Sequence, residues 1–331
     1  MFDAFLTQNL PNLKEQQSLN IELITGDASF RKYYRVSALS QSYILMVSPP
    51  ELVNNEPFIE LNTLFNQDDF KVPNILAVDR EYGYLLIEDL GSTHFADCLG
   101  QGKDSELYQQ AIALLPQIAT LPSSSAMKPY DAAFIDLELE IFNEWLVQNF
   151  CKIEMDVGAE KNWQQVKHQL INALEMQPKV TMHRDYHSRN LMLWNEQWAI
   201  IDYQDAVQGP LTYDLVSLTK DCYQVLPYAL RNSLVKYGFT QYEKAGLTRG
   251  LSFSDFEMLY TLTGIQRHLK AAGIFCRLSL RDGKQGYLPH VLDTLNYVIE
   301  ACEEVANVFP VLDYFAEWLQ VRVKPQLEAK L

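Results

Sequence analysis

His183-Arg184-Asp185-Tyr186-His187-Ser188-Arg189-Asn190 and, shortly after it, Ile200-Ile201-Asp202 decide how this chain is read. The first segment has the spacing H-x-D-x-x-x-x-N, which puts a carboxylate and an amide on one loop, and the second ends a short apolar run on another carboxylate. Phosphoryl transfer is mostly positioning plus charge neutralisation. It needs a carboxylate to meet a nucleophilic hydroxyl and hard oxygen ligands to hold Mg²⁺ against phosphates. Asp185 is therefore the candidate base, and Asn190 and Asp202 the candidate metal ligands. A lone H-x-D more often marks a capped turn; three groups in register point to chemistry.

Upstream of this loop the pattern is that of strands. Residues 21–25, 30–37 and 43–47 are short β-branched or aromatic runs separated by Gly26-Asp27-Ala28-Ser29 and by a polar stretch, which predicts an antiparallel meander. Pro49-Pro50 ends the third run, and residues 56–65 then carry Phe58, Leu61, Leu64 and Phe65 on one helical face. Two more runs, 75–79 and 84–88, flank a turn at Glu81-Tyr82-Gly83 and bring the expected sheet to five strands. A short helix broken at Pro11 is expected before the meander. Beyond residue 91 strands become rare, and amphipathic helical patterns dominate at 104–120, 135–151, 160–176, 213–224, 227–237, 254–270 and 288–307. The expectation is an α+β chain of two lobes: residues 1–91, a five-stranded antiparallel lobe ending in a hinge near 88–91, and residues 92–331, a mainly helical lobe.

Composition narrows the class. A chain of 331 residues with 48% hydrophobic content can bury large cores, and this length favours two of them. The formal charge of −15 argues against a nucleic-acid partner or an anionic membrane surface, since both need a net basic face. Cys98, Cys151, Cys222, Cys276 and Cys302 form neither a C-x-x-C pair nor a zinc-like spacing and read as reduced thiols. No apolar run approaches the ~20 residues of a membrane span and no basic leader is present, so a cytoplasmic location is expected. The sequence leaves the oligomeric state open.

With these motifs in place, the chain resembles the aminoglycoside phosphotransferase and choline kinase-like family, which shares the protein kinase fold, over nearly its whole length. The resemblance implies ATP and Mg²⁺ as cofactors and a small-molecule acceptor. Leu85-Leu86-Ile87-Glu88-Asp89-Leu90-Gly91 is similar to the family's hinge, implying that backbone groups around Glu88 and Leu90 meet the adenine edge. Residues 26–36 resemble its nucleotide-covering loop, with Ser29 as the small residue that lets backbone N–H groups approach phosphate. Gly209-Pro210-Leu211-Thr212-Tyr213-Asp214 resembles the segment whose Asp braces the catalytic loop, and a helix N-cap is the equal alternative for Asp214. His183 supports the same loop. Only 11 residues separate Asp202 from Asp214, too few to present a peptide, and this favours a small acceptor.

One position departs from the pattern. The third strand carries Met46 where an ATP-directed lysine is expected. Lys32, sharing a strand face with Val36, is the first substitute cation and Arg31 the second; Glu56 best matches the helix Glu that partners such a lysine. Five Lys/Arg and one His fall within residues 266–284 of an otherwise acidic chain. Arg267 and Lys270, at i and i+3, together with Arg277, are candidates to meet an anionic substituent. Glu140, Asn143, Glu144 and Trp145 are candidates to line a sugar cleft. Residues 26–34, 47–51 and 266–278 most resemble the bacterial cell-wall amino-sugar kinases. That resemblance implies the anomeric hydroxyl of N-acetylmuramate or N-acetylglucosamine as acceptor, in peptidoglycan recycling. The alternatives are an aminoglycoside- or choline-directed kinase and a nucleotide-binding pseudokinase.

Overall fold

The computed structural model describes residues 2–10, 19–24, 30–38, 41–66 and 70–331. The chain divides into two compact units: unit 1 comprises Met1–Cys98, Ser124–Met127 and Arg189–Asp205, and unit 2 comprises Leu99–Ser123, Lys128–Ser188 and Ala206–Leu331.

Unit 1 is built on five strands, β1 (Asn20–Ile24), β2 (Lys32–Ala38), β3 (Gln41–Val47), β4 (Ile75–Asp79) and β5 (Tyr84–Glu88), in the order β1-β2-β3-β5-β4. Every neighbouring pair is antiparallel, as the meander pattern predicts. Side chains alternate across a strand, so each face has its own set. Val36, Leu45 and Leu86 point to one face, where they pack with Phe5, Leu6 and Leu10 from helix α1 (Asp3–Asn9) and the residue after it. Arg35, Ile44 and Ile87 point to the other. Helix α2 (Glu56–Phe65) follows β3. Its entry is fixed by Asn55, which accepts from the Ser48 hydroxyl at 2.6 Å and donates to the Ser48 carbonyl at 2.8 Å. Gly83 closes the β4–β5 turn at φ +68°, and a Cβ there would lie 2.0 Å from the Ser48 carbonyl oxygen, so only glycine fits.

The hairpin of β7 (Leu191–Trp194) and β8 (Gln197–Ile200), which follows strand β6 (Lys179–Met182) in the chain, also belongs to unit 1. Its two-residue turn, Asn195-Glu196, has both φ angles positive, at 46° and 62°, the twist that suits a tight hairpin. A parallel bridge between Lys71 and Ala199 ties the hairpin to the chain entering β4.

Unit 2 holds a two-stranded pair, β6 (Lys179–Met182) with β9 (Val207–Pro210), and helices α3 (Asp104–Ala113), α4 (Leu115–Thr120), α5 (Ala132–Ile141), α6 (Val157–Glu175), α7 (Tyr213–Thr219), α8 (Tyr228–Lys244), α9 (Phe253–Asp282), α10 (Val291–Glu304), α11 (Pro310–Trp318) and α12 (Lys324–Glu328). The pattern at 104–120 resolves into two helices with Pro116 at the start of the second. Helix α5 continues as a π-helix over Phe142–Phe150. The largest departure from expectation is α9: the pattern ends it at residue 270, yet it runs 30 residues to Asp282 and stops at Gly283, which takes the left-handed cap conformation at φ +70°. Helix α9 is buried on most sides and therefore lacks the polar stripe that makes a helix legible. The basic residues at 266–281 thus lie on one continuous helix. The C-terminal α11 and α12 extend beyond the last helical pattern seen in the sequence. All five cysteines are free thiols, and no helix among the described residues is long and apolar enough to cross a membrane.

Candidate active site

In unit 1, a cleft of about 360 Å³ lies against the sheet face opposite α1. This is within the size range of small-molecule sites. Ile24, Ile44 and Ile87 from the strands and Met192 and Ile201 from the β7–β8 hairpin give it apolar walls, and Glu88, Leu90 and Gly91 run along its edge. Asn190 and Asp202 line the same cleft. The Asn190 side-chain amide lies 3.4 Å from the Asp202 carboxylate, and Gln204 donates to that carboxylate at 2.7 Å. The Ile201 N–H donates to the Asn190 carbonyl at 3.0 Å, so backbone pairing registers the two residues. Asp202 sits at φ +65°, a left-handed conformation that costs a residue with a Cβ. The residue after it, Tyr203, is fully buried between Phe58 and Phe65, with ring centroids 5.4 and 5.5 Å away in stacked geometry, and accepts a hydrogen bond from Asn62 of α2.

Arg35 also lines the cleft. It grips Asp89 at 2.7 and 3.1 Å and the Gly91 carbonyl at 2.7 Å, tying β2 to the segment after β5. Glu88 is held from behind by Lys71 at 2.5 Å and by the Asn74 side chain at 2.7 Å. Neither Arg35 nor Lys71 stands out in the sequence, because each pairs with a carboxylate remote in the chain.

The candidate cations part company here. Lys32 is exposed and shares its strand face with Tyr34 and Val36, which pack on α1, so it does not line the cleft. Alternation with Val36 is real, but Val36 looks toward α1 and not toward the cleft. Arg31 instead stands 5.7 Å over the ring of Phe58, a cleft residue. Burial pushes the Tyr33 phenol up to about 12, with Arg31 opposing and Asp202 adding to the shift, so both charges act at this wall. Met46 is completely buried opposite Tyr33 in the β2–β3 ladder. Glu56 does not reach the cleft: it is exposed and pairs with Arg80 at 2.7 Å. Ser29 lies outside the described residues.

Unit 2 contains Asp185. Partial burial would raise the Asp185 carboxyl, but Lys270, then Arg184, His187 and Arg267, hold it well below the usual carboxylate range. Asp214 does not cap its own helix. It accepts from the His183 N–H at 2.7 Å and the Arg184 N–H at 2.9 Å, and burial lifts its own carboxyl to about 6. These two bonds hold the loop where Arg184 takes φ +79°. At the far end of the loop the Ser188 N–H donates to Asp221 at 2.9 Å. The His183 ring is buried edge-on to Tyr186 at 5.9 Å.

Behind Asp185 lies a network that the sequence does not announce. Glu138 of α5, 2% exposed, accepts from Arg184 at 2.6 Å, Gln266 at 3.0 Å and Tyr130 at 2.8 Å, and stands 3.6 Å from the Lys270 ammonium. The available clue is its place at a core position between Ile135 and Phe142, where a carboxylate demands partners. Lys270 donates to the Tyr213 hydroxyl at 2.9 Å, and Arg267 donates to Ser217 at 2.6 Å. Both cations are therefore buried and bonded. Arg277 is half-buried two turns further along α9. Glu140 pairs with Lys167 at 2.6 Å, and Trp145 packs partly into the helical core. His187 stands edge-on to Tyr223 at 5.4 Å, which in turn meets His290 at 5.0 Å, a half-exposed aromatic group joined to the loop.

Comparison with known proteins identifies the family. Residues 20–250 match the phosphotransferase enzyme family, and the chain belongs to that family. It is similar to a Pseudomonas putida protein named N-acetylmuramate/N-acetylglucosamine kinase, 36% identical over 287 residues covering 86% of this chain and 85% of that one. A Neisseria meningitidis protein of the same name is 32% identical over 313 residues, 93% of each chain. Among solved structures, choline kinase LicA from Streptococcus pneumoniae shares the fold at a TM-score of 0.62 with 11% identity, over 90% of this chain and 99% of that one. A thermostable mutant of aminoglycoside phosphotransferase APH(4)-Ia, in ternary complex with AMP-PNP and hygromycin B, shares it at 0.57 with 16% identity, over 89% and 97%. The protein kinase-like α+β fold expected from the sequence is the fold found.

Proposed function

We propose that this protein transfers the γ-phosphoryl group of ATP to the anomeric hydroxyl of N-acetylmuramate or N-acetylglucosamine. The observation that carries the reading is the pairing of Asn190 and Asp202 at 3.4 Å in an apolar cleft of about 360 Å³. The names of relatives sharing up to 36% of their residues supply the acceptor.

In this reading Ile44, Ile87, Met192 and Ile201 enclose the adenine, and the backbone of Glu88 and Leu90 offers its edge a donor and an acceptor. An amide oxygen and a carboxylate are both hard donors, so Asn190 and Asp202 suit Mg²⁺. No cluster of three or more His, Cys, Asp or Glu exists among the described residues to hold it otherwise. Magnesium, when bound, neutralises charge on the phosphates. Arg31 is the better candidate than Lys32 for the cation that Met46 leaves wanting. Asp185 orients the sugar hydroxyl; as its oxygen bonds to the γ-phosphorus and the bond to the bridging oxygen breaks, the proton passes to Asp185 and ADP leaves. Its depressed proton affinity keeps it an acceptor throughout the neutral range. Tyr223 and His290 offer the sugar ring a face.

The test is ADP release from ATP and Mg²⁺ with each sugar, using Asp185→Asn as control. Sugar-dependent turnover that falls 10²-fold or more in the variant supports the reading. Turnover with cationic alcohols but not with amino sugars, or nucleotide binding with no turnover at all, overturns it.

A further inference from the structure

Three cationic residues of α9, Arg267, Lys270 and Arg277, are not equivalent. Seven residues separate Lys270 from Arg277, nearly two full turns, so the two side chains leave the same face of the helix roughly 10 Å apart along its axis. Lys270 is 5% exposed, bonded to Tyr213 and balanced by Glu138, and Arg267, also 5% exposed, is bonded to Ser217 and lies 3.8 Å from the Cys222 sulfur. Their charge is spent on the protein and on Asp185.

Arg277 differs in each respect. Its side chain is only half-buried, and its buried Nε has no hydrogen-bond partner among the described residues. The carboxylate of Asp282 is gripped by Arg281 at 2.7 and 2.9 Å. Burial lowers the proton affinity of Arg277, the neighbouring Arg281 lowers it further, and Asp282 and Glu144 offset this only in part. A guanidinium held in such surroundings gains from an incoming anion that can take its fork of donors. The helix is also fixed at this level. Gly273 lets α9 approach the α5–π-helix junction so closely that a Cβ would fall 2.5 Å from the Ile141 carbonyl oxygen. Arg277, one turn on, therefore projects from a rigid base.

N-acetylmuramate is N-acetylglucosamine carrying one additional group, a lactyl ether ending in a carboxylate. We propose that Arg277 binds that carboxylate and so sets the preference between the two sugars, an inference that rests on the amino-sugar reading above. A sugar with its anomeric hydroxyl at Asp185 lies beside Lys270, and its lactyl arm extends along α9 toward Arg277.

The experiment measures kcat/KM for both sugars with the unaltered protein, Arg277→Leu and Arg277→Lys. The ratio of kcat/KM for N-acetylmuramate to that for N-acetylglucosamine falls tenfold or more in Arg277→Leu, mostly through KM for N-acetylmuramate, as loss of one charge-assisted pair requires. Arg277→Lys recovers part of the ratio, because an ammonium keeps the charge but not the fork. A ratio unchanged in Arg277→Leu overturns the proposal while the amino-sugar reading stands, and so does an unaltered protein that accepts N-acetylglucosamine alone. An unaltered protein that accepts neither sugar removes the amino-sugar reading and this proposal with it. Turnover of N-acetylglucosamine reports folding in each variant, so a general loss of structure is not mistaken for loss of preference.

Discussion

Replacing Glu138 with Gln tests the idea that this buried carboxylate exists to balance the cations behind Asp185. One carboxylate oxygen lies 2.6 Å from the Arg184 guanidinium and 3.6 Å from the Lys270 ammonium. At an effective dielectric of about 20 these contacts are worth roughly 6 and 5 kcal/mol of gross attraction. Desolvation of three charged groups offsets most of that. Glu138→Gln keeps the shape and one acceptor but leaves two buried cations with less compensation, and unpairing a buried charge of this kind costs about 3–5 kcal/mol. For a domain of this size that lowers Tm by about 6–20 °C.

Calorimetry or a urea titration measures the loss, and a cycle with Lys270→Met identifies its cause. If charge balance is responsible, Lys270→Met costs less in the Glu138→Gln background than alone, with a coupling of roughly 1–3 kcal/mol. A Glu138→Gln protein melting within 2 °C of the unaltered chain, or costs that simply add, refutes the reasoning.

Two further outcomes follow from the same unit. Burial raises the Asp214 carboxyl from 3.8 to about 6, so the folded chain holds this proton more tightly than the unfolded one; stability contributed by the group is present at low pH and is lost as pH rises through about 6. Relative to Asp214→Asn, the unaltered chain therefore gains up to ~3 kcal/mol between pH 7 and pH 4, read by urea titration at each pH, and a pH-independent gap contradicts the assignment. Gly273→Ala places a Cβ 2.5 Å from the Ile141 carbonyl oxygen; overpacking of about 1–3 kcal/mol outweighs the ~1 kcal/mol that alanine gains in a helix, and a more stable variant would show that the two helices part freely.

The parts of this molecule that were legible in the sequence are those whose cause is local. Alternation in β2, β3 and β5 and the turn at Gly83 specify the antiparallel sheet, and the spacing from His183 to Asn190 fixes which side chains one loop presents. What was hidden depends on partners far along the chain. Lys32 and Arg31 differ by one position, hence by face, but only the packing of Val36 against Phe5 and Leu6 reveals which face is turned from the cleft. Glu56 looks like a lysine's partner until Arg80, 24 residues away, takes it. Helix α9 loses its amphipathic period because so much of its circumference is buried, and Glu138 hides in an apolar stripe for the same reason.

Both candidate catalytic segments also store backbone strain at a residue other than glycine. Arg184, immediately before Asp185, sits at φ +79°, and Asp202 at φ +65°. Left-handed backbone of this kind costs of order 1–3 kcal/mol per residue and persists only where the surroundings over-determine it. For Arg184 the determinants are the Asp214 bonds to two successive N–H groups, the guanidinium bond to Glu138, and the Phe134 ring 5.1 Å from the guanidinium carbon. For Asp202 they are the Ile201–Asn190 backbone bond and the burial of Tyr203 between Phe58 and Phe65. An unstrained backbone at either place would redirect the side chain of Asp185, which follows Arg184, and that of Asp202 itself, so the aim of each carboxylate is set by groups that need never touch a substrate. Asp214 and Tyr203 carry that burden in the two segments, which makes them as necessary to the placement of Asp185 and Asp202 as the spacing that first singled those residues out.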